Sequence, residues 1–372
     1  MSPIRLSTVL VALLATACTA IDPVSRGATE NVSIQTNETA LVFESAAGVW
    51  GGAVLRGEEY AWVAAALHVE NKLAAWRVSA DRVRSAPLLG DTGYHPDGVA
   101  VWDESSVAVA VEGIRRLQLW RIAGDRLVKE ADLPTVFGAR DVLVADLDGD
   151  GHRDVVLAPY AGKEVALMWG RGGFNFSEPQ MLQGGASGWH PVAVDIDADG
   201  DLDLLWAELD TGVIRLARNG GSRNFAVSEL HKVKGVTPRQ LAVGDVNQDG
   251  RLDIAVAVEI GDAEVLLALP GGGFTSETIR PRGLGHIGVA VKADGTILLS
   301  NENEITLVKQ SRTSWERRLL PAAGMPAPIA LEHVDGDEYE DLVIYHSSGS
   351  GGVLVYFGPM WVQAEVLEPL TR

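Results

Sequence analysis

From about residue 48 onward the chain is a succession of short apolar runs. Each run holds four to eight residues rich in Val, Ile, Leu, Ala and Trp, and is bounded by Gly, Asn and Asp. Runs of this length and composition between such turn residues predict β-strands. No segment keeps apolar positions at helical spacing, so the pattern predicts an all-β chain.

The runs come in groups of four. In "LAVGD", "LDIAVAV", "EVLLALPGGGF" and "TSETIR" a first strand leads into an acidic loop, and a second follows it. A third ends in a Gly-rich turn and a fourth closes the group. Such groups occupy residues 48–90, 95–134, 138–183, 189–233, 237–281, 283–321 and 325–368. Seven four-stranded units of roughly 45 residues predict a seven-bladed β-propeller with antiparallel blades. An eight-bladed ring is the alternative. "TALVFES" (39–45) stands before the first unit and is expected to pair with the last blade, because an open ring would leave unpaired strand edges.

Three loops align in register: "VADLDGDGHRDVVLA" (144–158), "AVDIDADGDLDLLWA" (193–207) and "AVGDVNQDGRLDIAVA" (242–257). Their last aspartates, Asp154, Asp203 and Asp253, are 49 and 50 residues apart. Oxygen side chains stand at loop positions 1, 3, 5 and 9. These are Asp146, Asp148, Asp150 and Asp154; Asp195, Asp197, Asp199 and Asp203; and Asp245, Asn247, Asp249 and Asp253. Position 7 (His152, Asp201, Arg251) offers a backbone carbonyl, and a glycine at position 6 permits the tight turn. Carboxylates this dense repel one another, and hard oxygen donors at this spacing suit Ca²⁺. An EF-hand is excluded, because position 12 is Leu157, Trp206 or Val256 where a Glu is needed, and the flanks are strands. A degraded fourth copy, "LEHVDGDEYEDLVIY" (331–345), keeps Asp335, Asp337 and Asp341 but has His333 at position 1 and Glu338 at position 6. A weak or empty site is expected there, and none in the sixth unit, which keeps only Asp294 and Gly295.

These repeats resemble the FG-GAP/VCBS repeats of integrin-α-type propellers over roughly residues 138–368; the first two units fit by pattern only. The resemblance implies Ca²⁺ in the three complete loops, which join strands 1 and 2 of a blade on one face. The ion's expected role is to brace its blade.

The opposite face carries the connections "GYHPDG" (93–98), "VFGARD" (136–141), "SGWHPV" (187–192), "VTPRQ" (236–240) and "GLGHIG" (283–288). Arg140, His190 and Arg239 fall at equivalent register, with His95 and His286 slightly earlier and Trp189 beside them; Trp50 is a further candidate. A ring of Arg and His with interleaved aromatics suits an anionic or sugar-like ligand.

The net charge of -19 excludes nucleic acid as a partner. The N-terminus reads as a signal peptide over residues 1–17: Arg5, the apolar run "LSTVLVALLA" and "ATAC", ending at Cys18. Cys18 is the single cysteine, and its setting resembles a bacterial lipobox. Lipidation at Cys18 is expected, with residues 18–47 as tether and ring-closing strand, residues 48–372 as propeller, and the lipid as the only membrane contact. No G-x-S-x-G, H-E-x-x-H or P-loop motif is present. The composite expectation is an exported recognition module for a protein or glycan at the bacterial cell envelope. The alternatives are a polysaccharide lyase-like enzyme acting on acidic sugars at the channel mouth, and an architectural subunit of an envelope complex.

Overall fold

A computed structural model describes residues 40–45, 48–57, 59–184, 187–280, 285–301, 304–311, 315–321, 325–348, 352–358 and 368–369. The leader, Cys18 and the tether lie outside the described residues. Seven antiparallel sheets follow one another along the chain. Blades 1 to 5 each take four consecutive strands, starting at Val49, Pro96, Ala139, Gly188 and Val236. Blade 6 is Val289–Val291, Ile297–Asn301, Glu304–Gln310 and Trp315–Pro321, with Glu368–Pro369 as a fifth strand on its outer edge. Blade 7 has Met325–Glu332, Asp341–Ser348 and Gly352–Tyr356 from the C-terminal region. Its fourth strand is Ala40–Glu44, paired from Ala40↔Tyr356 to Glu44↔Gly352. The ring therefore closes with the segment proposed for it: among the described residues the last blade's outer strand is Ala40–Glu44. The one helical turn among the described residues is a 3₁₀ turn at Glu112–Ile114.

The core is seven apolar clusters, one between each pair of neighbouring blades. Strands buried on both faces need near-continuous apolar runs rather than alternation. Strand 2 of blade 3 (Asp154–Pro159) and of blade 4 (Asp203–Glu208) are buried throughout. At the closure, fully buried Phe43 meets Trp76 of blade 1 edge-on at 5.2 Å.

The inner strands share an irregularity. In blades 1, 2, 3, 4, 5 and 7 the register slips near the start of strand 1, so two residues face one on strand 2. Such a bulge bends a strand and re-aims its side chains. The first bulged residues are Trp50, Asp97, Arg140, His190 and Arg239 in blades 1 to 5. Gly51 follows Trp50 because a Cβ there would fall 2.5 Å from the carbonyl oxygen of Asp97 in the next blade. Antiparallel order places the bulges on one face, with the strand 2–3 turns, and the aspartate loops on the other, with the strand 3–4 turns.

Candidate functional site

The aspartate loops repeat one hydrogen-bond pattern. The position 1 carboxylates of Asp146, Asp195 and Asp245 accept from the position 6 glycine N–H, at 2.9, 3.0 and 2.8 Å. Those glycines, Gly151, Gly200 and Gly250, have φ of +84°, +97° and +87°, a conformation that L side chains resist. Position 5 accepts from the position 7 N–H: His152 to Asp150, Asp201 to Asp199 and Arg251 to Asp249. Position 9 is buried and fastens the loop to the end of strand 3. Asp154 accepts from Leu147 N–H at 2.8 Å and Gly170 N–H at 2.7 Å. Asp253 and Asp341 bind backbone N–H groups through both oxygens in the same way. Burial pushes the carboxyls of Asp154, Asp203 and Asp253 up, against the pull of these N–H donors, and raises Asp341 to about 6.

On the opposite face the bulged residues converge. Trp189 is buried; the guanidinium of Arg140 lies 5.4 Å and that of Arg239 5.0 Å from its ring centroid. Trp50 meets Trp189 edge-on at 6.0 Å, linking blades 1 and 4 across the mouth of the ring. Arg140 also stacks on Tyr160 at 3.9 Å. The cations are not bare. Arg239 donates to Glu259 at 2.8 Å, His190 Nδ1 is 3.7 Å from Asp141, and Arg140 lies between Asp97 (3.9 Å) and Glu112 (3.6 Å). The mouth is thus a charge-paired cluster around an aromatic pair, not the cationic patch that the Arg and His ring suggested. His68 joins it through Asp97, with Nδ1 at 2.7 Å, and His95 stacks between His68 and Tyr94. His286 does not line the mouth: it is 0 % exposed, with Nδ1 3.2 Å from the carbonyl of Ser300 in blade 6. Around the rim stand exposed Tyr94, Ile114, Val136, Tyr160, Val236 and Ile260.

Residues 146–206 and 195–256 each match the family model of the FG-GAP-like repeat. The chain contains FG-GAP-like repeats. Among curated proteins no sequence matches it. Solved structures share its fold. The WD40 β-propeller domain of Doa1 is 11% identical, with a TM-score of 0.61, covering 87% of this chain and 96% of that one. A catalytically inactive virginiamycin B lyase from Staphylococcus aureus with quinupristin is 12% identical, with a TM-score of 0.58, covering 85% and 98%. A streptogramin B lyase is 12% identical, with a TM-score of 0.59, covering 89% and 97%. At these identities the likeness is one of fold.

The two matched FG-GAP-like segments run from the loop of blade 3 to strand 2 of blade 5. The donor sets fit a hard cation in blades 3 and 4. Asp146, Asp148 and Asp154 bring carboxylate oxygens within 4.8 Å of one another, as do Asp195, Asp197 and Asp199. Asp146 Oδ1 is buried without a hydrogen-bond partner, an unsatisfied oxygen of the kind that a cation would satisfy. Blade 5 gathers no such trio of carboxylates, since Asn247 supplies an amide oxygen at position 3; its loop otherwise keeps the same hydrogen bonds. Blade 7 does gather Asp335, Asp337 and Asp341. Asp294 of blade 6 is instead paired with Lys309 at 3.0 Å.

Sequence reading missed Asp97 and Glu112. Asp97 looks like a Pro-Asp-Gly turn residue, and only the shared bulge register marks it as the equivalent of Arg140 and Arg239. Asp97 is 1 % exposed, and its Oδ2, Glu112 Oε2 and Arg140 Nε are buried without hydrogen-bond partners. Burial, then the neighbouring carboxylate of Asp97, raise the Glu112 carboxyl to about 7, while Arg140 and His68 pull it down. Folding thus holds a proton that the unfolded chain releases near pH 4.5. Stability is fully present below that pH, falls as pH rises towards 7 and is flat above. Glu112→Gln is expected to leave stability near pH 4.5 unchanged and to raise it at pH 8 by on the order of 2 kcal/mol. Urea unfolding across this range measures the difference.

Proposed function

We propose that this protein is an exported binding module of the bacterial cell envelope that presents its bulge face to a protein or glycan, while Ca²⁺ braces the aspartate loops behind it. The observation that carries this reading is the convergence of Trp50, Asp97, Arg140, His190 and Arg239 from five blades on one mouth. Repetition of a bulge around a rigid ring is an economical way to gather polar and aromatic side chains, and the apolar rim enlarges the contact area. Paired Arg–carboxylate groups beside an aromatic pair offer both donors and acceptors, which suits hydroxyl-rich or peptide ligands better than a simple anion.

The test is capture of a glycan panel and an envelope extract by the immobilised protein. Wild type is expected to retain a ligand, and Arg140→Gln/Arg239→Gln to weaken it at least tenfold with an unchanged circular dichroism spectrum. Equal capture by the double variant would refute the placement of the site.

A second reading, elimination on acidic polysaccharides, is favoured by the Glu112 carboxyl held near neutral pH beside the His68–Asp97 pair. It requires ultraviolet-absorbing products from a pectin-like substrate, lost in Glu112→Gln. Binding without turnover would exclude it.

A further inference from the structure

A contact between blades 3 and 4 recurs at the seam where blade 1 meets blade 7. Arg223, in the strand 3–4 turn of blade 4, donates to Asp148 at 2.5 Å and Asp150 at 3.2 Å, positions 3 and 5 of the neighbouring loop. Arg82, in the strand 3–4 turn of blade 1, donates to Asp335 at 2.9 Å and lies 3.5 Å from Asp337, again positions 3 and 5. Both arginines have left-handed backbone, with φ of +64° and +63°. Both guanidiniums lie over the aromatic residue that follows strand 3 of the blade owning the loop: Arg223 over Trp169 at 4.9 Å, Arg82 over Phe357 at 4.7 Å. Arg82 also donates to the carbonyl of Gly358 at 3.1 Å.

The two loops differ at position 1. Blade 3 has Asp146, with its orphaned Oδ1. Blade 7 has His333, which brings no carboxylate. Asp341, like Asp154, spends its oxygens on backbone N–H groups, those of Val334 and Gly358, so without a carboxylate at position 1 Asp335 and Asp337 are left to the guanidinium. A guanidinium fork suits two carboxylates held in this way, and stacking on a ring fixes its direction.

We propose that a neighbouring blade's arginine is a built-in cation of these loops: Arg82 takes the place of the metal ion in blade 7 and locks the ring closed, and Arg223 competes with Ca²⁺ in blade 3. The part concerning blade 3 rests on the calcium reading; the Arg82 lock does not.

Ion counting on the full chain by native mass spectrometry tests the first half. Wild type and Asp335→Asn/Asp337→Asn are expected to carry the same number of Ca²⁺ ions; one ion fewer in the variant overturns the replacement. Thermal unfolding separates lock from ion site. Arg82→Gln is expected to lower the melting temperature by about 2–5 °C, equally in Ca²⁺ and in EDTA. A loss seen only in EDTA, and rescued by Ca²⁺, would show an ion site instead. For blade 3, calorimetric titration of Arg223→Gln is expected to show one site tightened about tenfold. An unchanged or weaker site overturns the competition while leaving the Arg82 result intact.

Discussion

Removal of divalent ions by EDTA is expected to lower the melting temperature of this protein by roughly 5–15 °C, with full recovery on adding Ca²⁺. Ions that bind the folded loops and not the unfolded chain each stabilise by about 2.7 kcal/mol at a hundredfold excess over Kd. Three loops acting together would exceed any single side-chain substitution here. The cause lies in the geometry: Asp146, Asp148 and Asp154 hold oxygens within 4.8 Å of one another, and Asp146 Oδ1 has no donor. Like charges at that distance in a partly buried loop are costly without a counter-ion. Asp148 already has Arg223, but the guanidinium carries a single charge and does not reach Asp146. Differential scanning calorimetry at low ionic strength is the measurement. Coincident transitions with and without chelator would mean that backbone N–H groups and arginines alone neutralise the loops.

Asp154→Ala is expected to destabilise the fold by about 2–5 kcal/mol even in chelator, with a further loss in calcium because a carboxylate leaves the ion site. Loop position 9 is commonly read as one ligand among four. Here Asp154 also accepts the N–H groups of Leu147 and Gly170, both buried, and truncation would strand both donors. Asp148→Ala offers the contrast, since that carboxylate binds Arg223 and the N–H of Asp150 at the surface end of the loop. Its cost is expected to be smaller, and mostly abolished by chelator. Urea denaturation of both variants, each with and without EDTA, distinguishes a structural pin from a ligand. An Asp154→Ala whose cost disappears in chelator would contradict the assignment of the pin.

The architecture was legible in the chain because blades are local. Each four-stranded unit is contiguous in sequence, and its turns are marked by Gly, Asn and Asp. Even the closure could be read from "TALVFES", a strand-like run with no blade of its own. The aspartate loops were legible too, since their oxygen donors and spacing lie in nine consecutive residues. The mouth was legible only in part. Arg140, His190 and Arg239 share a register that can be counted, but their partners come from elsewhere: Glu112 from a strand 2–3 turn, Glu259 from the end of a strand, Trp50 from the far side of the ring. Charge pairing between segments dozens of residues apart leaves no local trace, which is why a cationic ring was expected where a neutralised cluster exists. His286 misled for a related reason. It sits near the equivalent place in blade 6, but that blade's first strand is only three residues long, and its described pairing, Val289–Val291 against Ile297–Leu299, runs without a bulge. Arg82 and Arg223 left no signal at all, because their partners belong to neighbouring blades.

A concavity of about 750 Å³ on the aspartate face, lined by Arg56, Val101, Asp103, Asp146, His152 and Glu332, is the structural rival to the bulge face as the place of binding. Hydrogen–deuterium exchange of the calcium-loaded protein, with and without an envelope glycan and protein fraction, decides between them. The account predicts slowed exchange on addition of that fraction at residues 93–97, 137–141, 187–191 and 236–240, with the aspartate loops unchanged. Protection confined to residues 101–104 and 146–153, with none at the bulges, would contradict it.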